Sequence, residues 1–96
     1  MFLDDFFSIT VEKVMETLEV NYYDLTTSKE RKFVDARSVL VGLLVSKGMT
    51  QSDVAERLGM TRQGVNRIMN GLHDRFRCNP LLKDEYERLR NEITPR

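Results

Sequence analysis

The sequence predicts an all-α fold, a single compact bundle of about five to six helices, and three observations carry that expectation. Apolar residues recur at i, i+3 and i+4 in several segments, as in Val11, Val14, Met15, Leu18 and again in Val65, Ile68, Met69, Leu72, Phe76. Cap-forming residues stand just ahead of the periodic segments, Thr50 and Thr61 most clearly. Gly48, Gly59 and Pro80 fall between the segments rather than inside them. A chain of 96 residues makes one domain whose core buries roughly two-thirds of the unfolded surface.

Residues 1–9 carry Phe2, Leu3, Phe6 and Phe7 around Asp4 and Asp5, an N-terminal arm that packs on the domain or on a second copy. The domain proper is then 10–96. Val11, Val14, Met15 and Leu18, with Glu12, Glu16 and Glu19 outside, predict a helix from about 10 to 20, ended by Asn21. Tyr22, Tyr23 and Leu25 suggest a short helical turn, and Thr26 to Ser28 a polar loop ending in a cap. From Ser28 to Lys47 runs the longest predicted helix. Leu40, Val41, Leu43, Leu44 and Val45 make its second half apolar over much of its circumference, which suits a central helix. Lys47-Gly48 closes it. Pro80 interrupts the pattern after Phe76, and Leu81, Leu82, Tyr86, Leu89 and Ile93 predict a last helix over 81–93.

The stretch from Thr50 to Leu72 is the most informative. Thr50 caps a first helix from Gln51, with Asp53 three residues on as the return half of a capping box. Val54, Ala55 and Leu58 share one face, and Ala55 leaves room for a second helix to cross close by. Gly59 supplies the left-handed residue that ends the first helix. Thr61 caps the second, whose apolar series leaves Arg62, Gln63, Asn66, Arg67 and Asn70 on the other face, with Gly64 as a bare patch of backbone. That spacing is a helix-turn-helix, over 50–76. The outer residue types suit base edges: Arg for guanine, Gln or Asn for adenine. A solvated helix face on a helical hairpin is the alternative.

Net charge is zero, but it is segregated. Residues 1–28 hold one Lys and six Asp/Glu, giving −5; residues 29–77 hold ten Lys/Arg and five Asp/Glu, giving +5; residues 78–96 hold four of each. A local field attracts phosphate, so a neutral chain with one basic region can bind DNA. Lys29, Arg31, Lys32 and Arg37 crowd the start of the long helix, where cations oppose the dipole and an external phosphate would relieve them.

Other chemistry has few seats. Cys78 is the single cysteine and His73 the single histidine, too few for a disulfide, a zinc site or a Cys/His pair. Cys78 reads as structural or incidental. No apolar run approaches the ~20 residues of a membrane span, and no secretory signal pattern opens the chain. No paired carboxylates, triad or Walker-type phosphate loop is present, so neither an enzyme nor a cofactor or small-molecule ligand is expected.

The run from Val11 to Ile93 resembles the C-terminal DNA-binding domain of the bacterial replication initiator DnaA, in the Trp-repressor-like helix-turn-helix group. The residues that carry it are the valines from Val11 to Val20, Asp24-Leu25, Ala36-Arg37 opening an aliphatic stretch, the helix-turn-helix and the short final helix. The resemblance implies that Lys29 or Arg31 enters the minor groove and that Arg37 meets a phosphate. Where the initiators carry Asp-His-Thr-Thr before the valine of the recognition helix, this chain has Thr61, Arg62, Gln63 and Gly64 before Val65, and its turn is shorter. The 50–72 stretch alone also resembles lambda-type phage repressors, through Val54-Ala55, Gly64-Val65 and Asn70-Gly71. That resemblance implies base or phosphate contacts from Gln51, Arg62, Gln63 and Asn70.

The expectation is therefore sequence-dependent binding of double-stranded DNA in transcription regulation or replication control, with the helix from Thr61 in the major groove. Residues 29–37 would lie on the backbone or in the minor groove. A protein-interaction module that keeps the fold is the alternative, suggested by the acidic first helix and the Phe-rich terminus. A homodimer would suit a two-fold DNA site, whereas a minor-groove arm lets one copy bind alone. Both resemblances imply a cytoplasmic, nucleoid-associated protein of bacterial or phage origin.

Overall fold

The computed structural model describes residues 2–93, and the side chains of residues 5–93. Among the described residues there are six helices and no strand: α1 Phe2–Leu18, α2 Tyr22–Thr27, α3 Arg31–Ser46, α4 Gln51–Leu58, α5 Arg62–Cys78 and α6 Pro80–Glu92.

Among the described residues no separate arm precedes the bundle. The residues expected to form one are the first two turns of α1, because Phe6 shares a face with Thr10 and Val14 and buries with them. The Thr10 hydroxyl, itself buried, donates to the carbonyl of Phe6 at 2.7 Å, so no polar group is stranded there. The helix also ends earlier than the expected Asn21. Glu19 takes a left-handed conformation at φ 56°, and the Val20 amide reaches back to the Met15 carbonyl at 3.1 Å, the six-to-one bond of a Schellman ending. Asn21 is instead the cap of α2. Its side-chain oxygen accepts from the Asp24 amide at 2.8 Å, and its amide donates to the Asp24 carboxylate at 3.0 Å.

The central helix is α3; at 16 residues it is shorter than α1 and α5, each of 17, rather than the longest, because it begins at Arg31 and not at Ser28. Ser28 is occupied in ending α2: its backbone is extended, its amide donates to Asp24 at 2.9 Å, and its hydroxyl accepts from Glu30 at 3.1 Å. From Ser38 to Leu44 every residue of α3 is buried, which bears out a helix surrounded by others. Burial of each such leucine contributes about 1.5–3 kcal/mol.

Gly42 marks the closest approach in the core. A Cβ there would lie 2.7 Å from Leu72 Cδ2 on α5 and 3.0 Å from Tyr86 Cε1 on α6. The missing side chain thus lets α5 and α6 both close on α3. Tyr86 stacks at a tilt on Phe76, with ring centroids 4.8 Å apart. In α6, which starts at Pro80 behind the Asn79 cap, Leu82 and Leu89 are buried, as is Ile93 at its C-cap; Leu81, expected in the core, points outward and is 76% exposed. Across this frame Arg75 on α5 bonds Asp35 on α3 at 2.6 Å, an ion pair between residues forty apart in the chain.

Candidate functional site

Residues 50–78 form the two-helix unit that the spacing predicted. The Thr50 hydroxyl accepts from the Asp53 amide at 3.1 Å, fixing the start of α4. Val54, Ala55 and Leu58 are buried, so α4 turns one face inward against α5. Gly59, at φ 69°, ends the helix, and the Met60 amide bonds the Ala55 carbonyl at 2.8 Å to complete a Schellman turn. Thr61 follows, its hydroxyl accepting from the Gly64 amide at 2.9 Å, and α5 begins. Val65, Leu72 and Phe76 anchor α5 in the core, with Ile68 and Met69 half-buried beside them.

Gly64 has a more specific part than a bare patch of backbone. It is half-buried, and a Cβ there would meet Thr61 Oγ1 at 3.2 Å and Met60 Cε at 3.5 Å. Its small size gives the cap room to form.

The outward face of α5 presents Arg62, Gln63, Asn66, Arg67 and Asn70, all exposed. At 100° per residue these five fall within an arc of roughly 140°, so they address one surface. Gln51, from the start of α4, joins them: together with Arg62, Gln63 and Asn66 it lines an open cleft of about 230 Å³. Two helices from different parts of the turn thus converge four amide- or guanidinium-bearing side chains on one opening. Among the described residues, neither Arg62 nor Arg67 is in an ion pair, whereas Arg75, Arg77 and Arg88 each hold a carboxylate. Charge on the α5 tip is therefore uncommitted and available to a ligand. Thr61, assigned to the same surface from the sequence, is exposed, with its hydroxyl engaged as the cap.

The basic start of α3 is not brought to this cleft. Lys29, Arg31 and Lys32 are exposed. Arg31 lines a different opening of about 290 Å³ with Asp35, Asp74, Arg75 and Asn79, at the C-terminal end of α5. At 1.5 Å per residue, the helix from Arg62 to Arg75 sets the two openings about 20 Å apart. Lys32 Nζ also lies 5.8 Å over the Phe33 ring.

Arg37 departs furthest from its expected role. Its Nε donates to the Leu25 carbonyl at 2.7 Å and its Nη2 to the Ser28 carbonyl at 2.6 Å. It closes the C-terminal end of α2, where helix carbonyls lack partners. Partial burial lowers its pKa from the usual guanidinium value by desolvation, but an arginine so paired keeps its proton. A residue that the initiator resemblance assigned to phosphate is thus spent on two backbone carbonyls.

The Asp35–Arg75 pair had no signal in the sequence, since nothing local joins residues that far apart. It ties the C-terminal half of α5 to α3, while Val65 and the packing against α4 hold the N-terminal half. His73 and Cys78 are exposed on the remaining surface of α5. No helix among the described residues is long and apolar enough to cross a membrane.

Comparison with known proteins agrees with this geometry. No curated protein and no solved structure matches the chain. A helix-turn-helix family model, of the lambda and Cro type, matches residues 43–75, from the last turn of α3 to within a turn of the end of α5. The match covers about a third of the chain and coincides with the repressor-like resemblance rather than the initiator-like one. The match supports a helix-turn-helix in residues 43–75, with α5 as its second helix.

Proposed function

We propose that the chain binds double-stranded DNA in a sequence-dependent way and regulates transcription, without catalysing a reaction. The N-terminal half of α5 enters the major groove. Arg62, Gln63, Asn66, Arg67 and Asn70 face the base edges, and Gln51 braces the adjoining backbone. Lys29, Arg31 and Lys32 contact phosphates of a flanking stretch, about 20 Å along α5 from the reading tip. The observation that carries this reading is the convergence of Gln51, Arg62, Gln63 and Asn66 on one open cleft at the capped tip of α5.

Charge supports it further. The acidic residues of the first 28 lie on α1 and α2 or, for Glu19, between them, while the excess of basic residues begins at Lys29 and runs through α5. Attraction to phosphate is therefore local rather than general, and affinity for random duplex is modest and falls steeply with salt.

Selection of bound duplexes from a random library tests the reading. A recovered motif of defined sequence is expected. A palindrome would report two copies on a two-fold site, and a single half-site one copy. Recovery of sequences no different from the input would overturn the proposal.

A further inference from the structure

The opposite charge excess, on α1 and α2, is not used by the DNA reading. Between these helices lies an open groove of about 300 Å³ lined by Phe7, Ser8, Val11, Glu12, Met15 and Tyr22. Its floor is apolar, since Val11 is buried and Phe7 and Met15 are half-buried against the core, and the Arg57 guanidinium of α4 lies 5.5 Å over the Phe7 ring. Beside it, Asp5, Glu12 and Glu16 stand exposed on a single stripe of α1, within roughly 40° of one another at 100° per residue, and Glu19 is exposed just past the end of the helix. Tyr22 and Tyr23 at the rim are 44% and 74% exposed. The region of 28 residues that includes both helices carries a net −5. Neither α1 nor α2 has a major packing interface with α5, so occupying this groove leaves the reading helix open.

We propose that the groove between α1 and α2 docks a basic amphipathic helix of a partner protein. Apolar anchors at i, i+3, i+4 and i+7 of such a helix would fill the Phe7, Val11, Met15 and Tyr22 channel, while its Lys and Arg side chains meet the acidic stripe. The charge excludes other occupants. Nucleic acid and anionic lipid would be repelled by four carboxylates. A second copy offers the wrong chemistry: the outward face of α5 is basic but has no apolar anchor, and Leu81 is flanked by Asp84 and Glu85 at i+3 and i+4. Ile9, Tyr22 and Tyr23, the other large exposed apolar residues among those described, belong to the acidic end itself.

The proposal is independent of DNA binding and is tested on the full chain without DNA. The probe is a synthetic helix of about 18 residues with leucines on one face and lysines elsewhere. A scrambled peptide of the same composition, and one with glutamates in place of the lysines, serve as controls. Amide chemical shifts of the labelled chain are expected to move within residues 7–23 on adding the leucine-lysine helix, and with neither control. The Glu12→Lys, Glu16→Lys double variant changes only exposed side chains, and its fold is checked by circular dichroism. It is expected to bind the probe roughly tenfold more weakly or worse. Equal binding of the scrambled peptide, shifts centred elsewhere, or unchanged affinity in the double variant would overturn the proposal. So would self-association of the chain in sedimentation equilibrium that the double variant abolishes, since the occupant would then be a second copy.

Discussion

Arg37 donates from Nε to the carbonyl oxygen of Leu25 at 2.7 Å, across twelve residues of chain, and the same guanidinium reaches Ser28 at 2.6 Å. One side chain of α3 thereby finishes α2 and fixes the angle at which the acidic end joins the basic one. Arg37→Ala leaves two carbonyls to water and is expected to cost about 1–3 kcal/mol of unfolding free energy, as for hydrogen bonds from a charged donor. Arg37→Lys should recover little, because a single ammonium on a flexible stem does not reproduce the fork. Denaturant titration of both variants measures it, and wild-type stability in Arg37→Ala would contradict this role.

Gly42 gives the second prediction. Alanine in a helix interior normally gains up to about 1 kcal/mol over glycine. Here the added methyl meets Leu72 Cδ2 and the Tyr86 ring, and the ring cannot move without leaving Phe76. Overpacking of this kind costs about 1–3 kcal/mol, so Gly42→Ala should be destabilising and Gly42→Val more so. A more stable Gly42→Ala, read from the thermal midpoint, would show that α5 and α6 pack more loosely on α3 than the distances indicate.

Glu19 gives the third. It holds a left-handed φ of 56° at the end of α1, where a side chain costs about 1–2 kcal/mol. Part of that gain is offset by the greater freedom of glycine in the unfolded chain. Glu19→Gly should therefore stabilise the protein by about 0.5–1 kcal/mol. Thermal unfolding at fixed salt measures it, with Glu19→Ala as the control that removes the charge and keeps the strain. Equal stability in the Gly and Ala variants would assign any gain to charge instead.

What could be read from the sequence divides along the length scale of the interaction. Thr50, Gly59 and Thr61 act on amides or carbonyls within five residues of themselves, and each sits where its type predicted. The helical faces of α3 and α5 followed from periodicity for the same reason. Between α1 and α3, two cap-forming residues compete in a short space, and composition alone does not say which helix each one serves. Asn21 starts α2 rather than ending α1, and Ser28 ends α2 rather than starting α3. The Phe-rich start belongs to α1 rather than to an arm, and the polar Thr10, buried between Phe6 and Val14 with its hydroxyl satisfied by the Phe6 carbonyl, interrupts the apolar face that would have announced it.

Longer contacts were illegible. The Asp35–Arg75 pair, the bonds from Arg37 and the approach of Leu72 and Tyr86 to Gly42 all join residues 9 to 44 positions apart. The candidate site fared better than that, because Arg62, Gln63 and Asn66 lie on one helix and Gln51 starts the helix just before it, about two turns ahead of the motif's own Gly59. The charge cluster at 29–37 separated into two fates. Lys29, Arg31 and Lys32 remain exposed, while Arg37 turned inward to carbonyls that no local pattern announces.

The central claim is a division of labour between the tip of α5 and the start of α3, and competition binding with Arg62→Ala and Lys32→Ala tests it most directly. Each variant is measured against the selected duplex and a random duplex at several salt concentrations. Arg62→Ala is expected to lose about 1–3 kcal/mol of discrimination between the two duplexes. Lys32→Ala is expected to weaken both alike and to lower the salt slope by about one. Equal losses on both duplexes from both variants would contradict the account.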